Sequence, residues 1–416
     1  MRVVEGRAFV RGRFEQCCIG IEEGKIAAIK KIIKGDPHFD FGSNYILPAG
    51  IDIHVHFREP GFPNKEDFHT GSEAAACGGI TCVFDMPNNL PATTDARTLE
   101  EKRQAVAGRA NVDFGLYLAL REDSNATDLS KLGCPFKIYM TGARGDLAFG
   151  AYEKLKKTLE ETEKAEMHTS VHCENQDLMA KEDGVGLEDY LRSRPNEAET
   201  SAIGMIGDLK AHVCHVSARE SIPLLDRPNL SSEVTPHHLL LNAKTDLAGF
   251  GKADPPLRRR ADQAAMWEGL VSGKIDIIAS DHAPHTIEEK EEEFERVPPG
   301  VPGVETSLPL MLMHVKKGNL TMERLVSAMM KGPAKIMGLD KGSIEIGMDA
   351  DLIAVDLRKI TKIRGDDLHS RCGWTPFEKW EAIFPLGTFL RGELVSEDGE
   401  IQETRKGRMI TKREKP

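Results

Sequence analysis

Short apolar runs that alternate with longer amphipathic segments constrain this chain more than any other feature of its sequence. The runs extend from Gly50 to Ser280 and are, in order, GIDIHVHF, TCVFDM, VDFGLYLAL, PFKIYM, HTSVHC, AHVCHV, SEVTPHH and IDIIAS. Apolar strands separated by helical segments are typical of an α/β protein whose parallel sheet is buried on both faces. Eight such units predict a closed, TIM-like (β/α)8 barrel. An open doubly wound sheet is the alternative.

The two ends of the chain differ from the middle and resemble each other. Both consist of short strand-like stretches separated by turns, such as RVVEGRAFV near the start and GTFLRGELVSEDGEI near the end. We therefore expect residues 1–50 and 342–416 to form one composite small β domain, and residues 51–341 to form the barrel. We interpret the charge-rich segment Glu288–Arg296 as a solvated loop or helix face.

Composition and charge narrow the possible functions. Of the 416 residues, 40% are hydrophobic and 29% are charged, which suits a globular protein with a sizeable core. The net charge of −11 disfavours binding to nucleic acid or to an anionic membrane. No window is apolar enough for a signal peptide or a transmembrane helix, and the eight cysteines include no CxxC pair. These features predict a cytoplasmic protein with reduced thiols.

Polar residues at the ends of the apolar runs indicate a metal site. His54 and His56 alternate in DIHVHF, so both side chains would project from one face of a strand. Such a pair alone also occurs in ordinary cores, but His172 ends TSVH, His215 ends HVCH and Asp281 follows IDIIAS, where a barrel places its active site. Buried imidazole and carboxylate groups are costly unless they are paired or coordinated. We therefore expect a metal here, with zinc favoured and manganese or cobalt as alternatives.

Lys137 lies inside the apolar run PFKIYM. A lysine within a buried strand needs a partner, or it must be neutral. One interpretation is an ion pair with a nearby carboxylate. The other is that carbon dioxide modifies the amine to a carbamate, which could bridge two metal ions.

Several motifs together resemble the dihydroorotase family of the amidohydrolase superfamily. They are DIHVHFREPG, the MPN of residues 86–88, the strand lysine, His172, His215, the ASDHAPH of residues 279–285, EVTPHHL, DPPLR, PPGVPGVETSLPL and WTPFE. The resemblance covers nearly the whole chain. It is strongest with the class represented by the dihydroorotase domain of the animal multifunctional pyrimidine enzyme. The HxH pair and the last aspartate are shared across the superfamily, but the combination is specific.

The resemblance implies two zinc ions per chain. In this family the HxH pair and the last aspartate bind one ion, two later histidines bind the second, and a carbamylated lysine bridges both together with a hydroxide. The corresponding residues here are His54, His56, Asp281, His172, His215 and Lys137, the last as N6-carboxylysine. Glu233 matches a position proposed as an extra metal ligand in some relatives. We interpret His237 and His238 as structural or supporting residues.

The resemblance also implies residues that bind the substrate. Those that correspond to contacts with the substrate carboxylate are Arg58, Asn88 and His285, and those that correspond to further contacts are Asp254, Pro299 and Gly300. Many relatives have asparagine where this chain has Asp254. An arginine at the rim of a barrel can hold a carboxylate with two hydrogen bonds. The segment TGARGDLAFG, which begins at Thr141, is a candidate lid, although it matches the lid loop of relatives poorly.

The implied reaction is the reversible hydrolysis of (S)-dihydroorotate to N-carbamoyl-L-aspartate in the de novo synthesis of pyrimidines. Metal coordination lowers the pKa of water towards about 7 and so supplies the attacking hydroxide. A second metal would polarise the ring carbonyl. Asp281 would take the proton from the hydroxide and deliver it to the departing ring nitrogen.

Two other functions stay open at this point. One is another cyclic amidohydrolase, namely a hydantoinase, dihydropyrimidinase or allantoinase, although Arg58 and His285 favour a carboxylated substrate. The other is a non-catalytic scaffold that associates with aspartate transcarbamoylase, although such proteins usually lose metal ligands and all six remain here. A homodimer and an association of the active enzyme with aspartate transcarbamoylase are further possible arrangements.

Overall fold

A computed structural model describes residues 1–141, 146–181, 184–402 and 406–411. Its strands are, in chain order, β1 Arg2–Val10, β2 Arg13–Glu22, β3 Lys25–Lys30, β4 His38–Pro48, β5 Gly50–Val55, β6 Ile80–Asp85, β7 Asp113–Leu116, β8 Leu118–Ala119, β9 Phe136–Tyr139, β10 Thr169–His172, β11 Ala211–Val213, β12 Leu230–Val234, β13 Ile277–Ile278, β14 Leu352–Val355, β15 Thr361–Lys362, β16 Glu381–Ala382, β17 Gly387–Leu390, β18 Glu393–Glu397 and β19 Glu400–Ile401.

Helices occupy most of the connections between the central strands. The α-helices are α1 Phe68–Cys77, α2 Ala96–Val106, α3 Ala126–Ser130, α4 Tyr152–Lys164, α5 Leu187–Ser193, α6 Asn196–Ile206, α7 Pro236–Leu240, α8 Arg260–Ser272, α9 Ile287–Lys290, α10 Val304–Lys316, α11 Met322–Val326 and α12 Gly332–Met337. A π-helical stretch, Ser327–Lys331, joins α11 to α12. No helix among the described residues is both long and apolar enough to traverse a lipid bilayer.

The strands β5 to β13 form a closed parallel barrel. β5, β6 and β7 pair in that order, and β8 to β13 pair in a second run. Only Tyr117 separates β7 from β8, so the two act as one wall element and the barrel has eight walls. A parallel bridge between Val55 and His282 brings the last wall beside the first. The prediction of a (β/α)8 barrel is therefore confirmed, and the open sheet is wrong.

Both ends of the chain contribute to one mixed sheet outside the barrel. Its strand order is β19-β18-β17-β14-β4-β1-β2-β3. In its core, Val4 and Ile19 from the start of the chain pack with Leu352 and Phe389 from the end. This sheet confirms the small β domain built from both termini. The boundaries after residue 50 and before residue 342 stay a prediction.

Several barrel strands are shorter than the apolar runs suggested. β5 ends at Val55, β11 at Val213 and β13 at Ile278, so His56, His215 and Asp281 lie just beyond their strands. The backbone explains two of these ends, because His215 (φ 35°) and Asp281 (φ 47°) adopt left-handed conformations that cannot continue a strand. These three side chains therefore project from strand–loop junctions at the carboxyl end of the barrel.

The charge-rich segment Glu288–Arg296 is only partly solvated. Thr286 caps α9 through a capping box with Glu289. The helix ends at Lys290, whose side chain is fully enclosed although its sequence neighbours are acidic and mostly exposed. The interpretation of this whole segment as a solvated face was therefore wrong at Lys290, because the packing partners of this lysine come from distant parts of the chain.

Candidate active site

A cavity of about 100 Å³ opens at the carboxyl end of the barrel. Its lining residues are His54, His56, Arg58, Asn88, Lys137, Tyr139, His172, His215, Asp254, Asp281, Ala283, Pro299 and Gly300. Every residue predicted from sequence as a metal ligand or substrate contact is therefore at this cavity, except His285, which lies directly behind Arg58. Residues on or just after six barrel walls converge here with Asp254, Pro299 and Gly300 from two further loop segments, as the barrel fold requires.

The first cluster of candidate ligands contains His54, His56 and Asp281. Asp281 Oδ1 lies 3.3 Å from His54 Nε2 and 3.1 Å from His56 Nε2. Burial works against the charged carboxylate, but the adjacent imidazoles of His54 and His56 hold the pKa of Asp281 below its ordinary value. Burial lowers the pKa of His56 to about 4. Three ligand atoms this close together form a group that could hold a metal ion.

The second cluster consists of His172 and His215, whose facing atoms, Nδ1 and Nε2, are 3.0 Å apart. The other nitrogen of His172 contacts Glu174 Oε2 at 2.7 Å. Burial and then the neighbouring His172 lower the pKa of His215 well below its usual value, so this imidazole is neutral. Neutral imidazoles held by a carboxylate on the far side are the usual form of histidine ligands.

Lys137 lies between these clusters and has no ion pair within the described ranges. Its Nζ contacts Cys214 Sγ at 2.9 Å and lies 5.3 Å from the centroid of the Tyr139 ring. The side chain is enclosed by the barrel. The interpretation of Lys137 as a structural ion pair with a carboxylate was therefore wrong, because its neighbours are a thiol and an aromatic ring.

One side of the cavity carries the guanidinium of Arg58. Arg58 Nε donates to Pro284 O at 3.1 Å, and Nη2 lies 3.0 Å from His285 Nε2. His285 Nδ1 lies 3.1 Å from Lys65 Nζ, and the same Nε2 that faces Arg58 lies 3.1 Å from Pro299 O. Burial, followed by the charge of Arg58, lowers the pKa of His285 to about 3. Along the described chain, Arg58 has no carboxylate partner, so its guanidinium can donate hydrogen bonds to the carboxylate of a ligand.

Asn88 and Asp254 line the cavity but are already engaged. Asn88 Oδ1 accepts from His56 Nδ1 at 2.8 Å, which directs Nε2 of that ring into the cavity. Asp254 forms an ion pair with Arg194 at 3.1 Å and accepts a hydrogen bond from Tyr190. The same Arg194 contacts Glu174, so the Asp254 carboxylate belongs to a network that extends to His172.

Three residues of the cavity hold backbone conformations that side chains rarely adopt. Arg58 (φ 61°), His215 (φ 35°) and Asp281 (φ 47°) lie in the left-handed region. Such conformations cost free energy and persist where the surrounding structure fixes them, which is common at active sites. Here they turn a guanidinium, an imidazole and a carboxylate into one cavity.

The supporting residues include several that sequence reasoning left open or missed. Glu233 contacts His54 Nδ1 with one oxygen and His212 Nε2 with the other, at 3.1 Å. His238 contacts Thr235 and Pro255 O, whereas His237 Nε2 has no hydrogen-bond partner in the described part of the chain. Glu174 was missed, although its position two residues after His172 was a usable signal. Thr141 is buried, and residues 142–145 of the candidate lid lie outside the described residues.

The sequence and the fold match a known class of hydrolases. A family model described as "Amidohydrolase family" matches residues 45–395. The structure is similar to that of an L-hydantoinase (dihydropyrimidinase) from Arthrobacter aurescens, with a TM-score of 0.92 and 29% identity over 99% of both chains. The fold is also that of a dihydropyrimidinase from Brevibacillus agri, with a TM-score of 0.89 and 24% identity over all of both chains.

Sequence relatives narrow this class. A dihydroorotase of Methanosarcina acetivorans is 40% identical over 408 residues, which cover 90% of this chain and 87% of that protein. A dihydroorotase of Halobacterium salinarum is 35% identical, over 99% of this chain and the whole of that protein. A dihydroorotase of Pyrococcus furiosus is 36% identical, over 99% of this chain and 97% of that protein. The chain therefore belongs to the amidohydrolase family and, within it, to the dihydroorotases.

Proposed function

We propose that this protein catalyses the reversible hydrolysis of (S)-dihydroorotate to N-carbamoyl-L-aspartate, with two zinc ions per chain. The observation that carries the proposal is the Arg58 guanidinium, which faces the same cavity as both ligand clusters and has no carboxylate partner among the described residues. Dihydroorotate carries a carboxylate next to its ring, whereas hydantoin and dihydrouracil do not. The sequence relatives named dihydroorotase support the same substrate.

The cavity residues fit a pair of metal ions. His54, His56 and Asp281 supply one set of ligand atoms within reach of a single ion. His172 and His215 direct two imidazole nitrogens at one point, which suits a shared ion better than a direct contact. A set rich in imidazole favours zinc. When bound, the ions lower the pKa of water and polarise the ring carbonyl.

Lys137 is the candidate bridge between the two ions. Its Nζ is near Cys214, a residue of the loop that carries His215, and lies in the cavity that both clusters share. A carbamate on Nζ would replace one positive charge with one negative charge, which a site beside two cations would stabilise. We propose N6-carboxylysine at this position.

Residues of the chain itself bind the substrate and transfer the proton. Arg58 binds the substrate carboxylate, with His285 and Asn88 beside it, and this contact fixes which ring carbonyl enters the cavity. Asp281, whose pKa is held low, is ionised and accepts the proton that water loses on attacking the carbonyl. Asp281 then delivers that proton to the ring nitrogen as the carbon–nitrogen bond breaks. In the direction of ring closure, Asp281 performs the same steps in reverse.

A comparison of substrates tests this function. Purified protein, with zinc content measured, is assayed with dihydroorotate, hydantoin, dihydrouracil and allantoin at equal concentrations. We expect kcat/KM for dihydroorotate to exceed the others by at least about a hundredfold, because only that substrate satisfies Arg58. Faster turnover of hydantoin or dihydrouracil would overturn the proposal in favour of the function named for the structural neighbours. Mass spectrometry of the intact protein at neutral pH tests the carbamate on Lys137.

A further inference from the structure

Lys290 is a buried lysine whose hydrogen-bond acceptors are main-chain carbonyl groups. Its Nζ donates to Pro298 O at 3.0 Å, to Gly300 O at 3.0 Å and to Lys252 O at 3.3 Å. The residue is 1% exposed, and Nζ lies 5.7 Å from the centroid of the Trp374 ring. It forms no ion pair in the described portion of the structure. A buried ammonium without a carboxylate partner is costly, so the carbonyl oxygens must compensate for its lost hydration.

Two of those carbonyl groups, of Pro298 and Gly300, belong to the segment that forms one wall of the cavity. Pro299 and Gly300 line the cavity, whereas Lys290 lies behind them. Gly300 N donates to Lys252 O at 2.9 Å, so Lys252 O is shared by the loop and by Lys290. Gly300 has φ 137°, and a Cβ there would lie 2.5 Å from Ala283 O. The wall therefore has little freedom to shift while Lys290 holds it.

This wall also supports the anion-binding side of the cavity. Pro299 O lies 3.1 Å from His285 Nε2, and that ring lies beside Arg58. Trp374 Nε1 in turn donates to His285 O at 2.7 Å, so the Trp374 ring links His285 to Lys290. A shift of Pro298 and Gly300 would therefore displace His285 and the guanidinium next to it.

We propose that Lys290 is a positioning residue that fixes the Pro298–Gly300 wall and, through His285, the site for the substrate carboxylate. This inference rests on the proposed function, because it concerns how that substrate is bound. Lys290 touches neither the cavity nor the candidate metal ligands. Its removal therefore affects substrate binding more than the chemical step.

The electrostatic surroundings agree with this assignment. Burial, and then the charges of Lys252 and Arg58, lower the pKa of Lys290 to about 7. The titratable and charged groups that face it are Lys252, Arg58, Asp254, Glu289 and His285. Deprotonation removes one of three N–H donors, so one carbonyl loses its partner. A substrate carboxylate bound at Arg58 would offset part of the positive charge and so favour charged Lys290.

The experiment compares Lys290→Met and Lys290→Gln with the native protein. Methionine removes every donor, whereas glutamine keeps two N–H groups. We expect KM for dihydroorotate to rise about tenfold to a hundredfold in Lys290→Met and less in Lys290→Gln, with kcat within about threefold and zinc content unchanged. The KM ratio of Lys290→Met to native should fall as the pH rises through about 7. Hydrogen exchange in the peptide that spans residues 297–303 should accelerate in both variants.

Arg324→Met is the matched control. Arg324 also donates to three main-chain carbonyl groups, those of Leu270, Ile275 and Asp276, but at the opposite end of the barrel. Its loss should lower the melting temperature and leave KM unchanged. If Arg324→Met raises KM as much as Lys290→Met does, the effect is general destabilisation and the proposal is wrong.

The outcomes separate this proposal from the function on which it rests. If the native protein does not turn over dihydroorotate, the proposed function fails, and unchanged exchange in residues 297–303 would then overturn the anchoring role as well. If the native protein is active and the KM of Lys290→Met is unchanged, only the positioning role is overturned. Should Lys290→Met not fold, an unchanged KM in Lys290→Gln overturns the positioning role in the same way.

Discussion

His172 Nδ1 and His215 Nε2 face each other at 3.0 Å in the cavity. The second nitrogen of His172 is held by Glu174, which an ion pair with Arg194 holds in turn. Two imidazoles brought this close gain most from a shared cation, because both can then direct a lone pair at it. The buried carboxylate of Glu174 therefore fixes the His172 ring in the orientation in which it faces His215.

Glu174 should therefore control metal affinity without binding the metal itself. We expect Glu174→Gln to weaken zinc binding about tenfold to a hundredfold, as is usual when the carboxylate behind a histidine ligand is removed. Titration with a chelator, followed by residual turnover and zinc content, measures the change. Glu305→Gln is the control, since Glu305 holds His369 in a half-buried pair outside the cavity. Equal zinc affinity in native and Glu174→Gln protein would show that Glu174 does not control metal binding.

Asp281 should be required for turnover. We expect Asp281→Asn to lower kcat by about a hundredfold to ten-thousandfold, because an amide cannot carry the proton from water to the ring nitrogen. The control is Asp276→Asn, on the same segment but before β13, where its carboxylate accepts from Ser232 N at 2.9 Å. Zinc content is measured in both variants, because Asp281 is also a candidate ligand. A near-native kcat in zinc-loaded Asp281→Asn would exclude it from proton transfer.

Arg58 should determine affinity for the carboxylate. Removing a charge-assisted hydrogen-bond partner costs about 1.5–3 kcal/mol, so Arg58→Met should raise KM for dihydroorotate about tenfold to a hundredfold. Arg58→Lys keeps the positive charge but loses the paired donors of the planar guanidinium. Its KM should therefore lie between those of the native protein and Arg58→Met. Steady-state kinetics of the three proteins provide the measurement. Unchanged KM in Arg58→Met would mean that the carboxylate binds elsewhere.

Much of the fold and of the cavity could be predicted because the signals are local. Each barrel wall is a short apolar run; His56 and His215 lie near the ends of their runs, and Asp281 directly follows its own. The left-handed backbone at His215 and Asp281, which shortens their strands, was not visible, because neither residue type requires that conformation.

Lys290 shows where sequence reasoning stops. It stands among glutamates in a segment that has every sign of a solvated surface. Its burial depends on carbonyl groups of residues 252, 298 and 300 and on the ring of Trp374, all of which only the tertiary fold brings together. The carboxylate networks around Glu174 and Glu233 were hard to predict for the same reason.

The buried charge of Lys290 should make stability depend on pH in the alkaline range. Its pKa is about 7 in the folded protein and about 10.4 in an unfolded chain. Between these values the unfolded chain binds one more proton than the folded protein, so this group makes the folded state more stable as the pH rises. Below pH 7 the burial penalty is complete, and above about 10.4 it is absent. The slope cannot exceed about 1.4 kcal/mol per pH unit.

Comparison with Lys290→Met isolates this contribution from every other titrating group. The free energy of unfolding, measured with denaturant at about pH 6.5, 8 and 9.5 for both proteins, should give a native-minus-variant difference that increases with pH. The hydrogen bonds that Lys290→Met loses shift the native-minus-variant difference as a whole, and methionine at position 290 adds no pH dependence of its own. The facing groups Lys252, Arg58, Asp254, Glu289 and His285 are present in both proteins. A difference that stays constant over this range would show that Lys290 keeps an ordinary pKa, because an unshifted lysine contributes equally to both states below about pH 10.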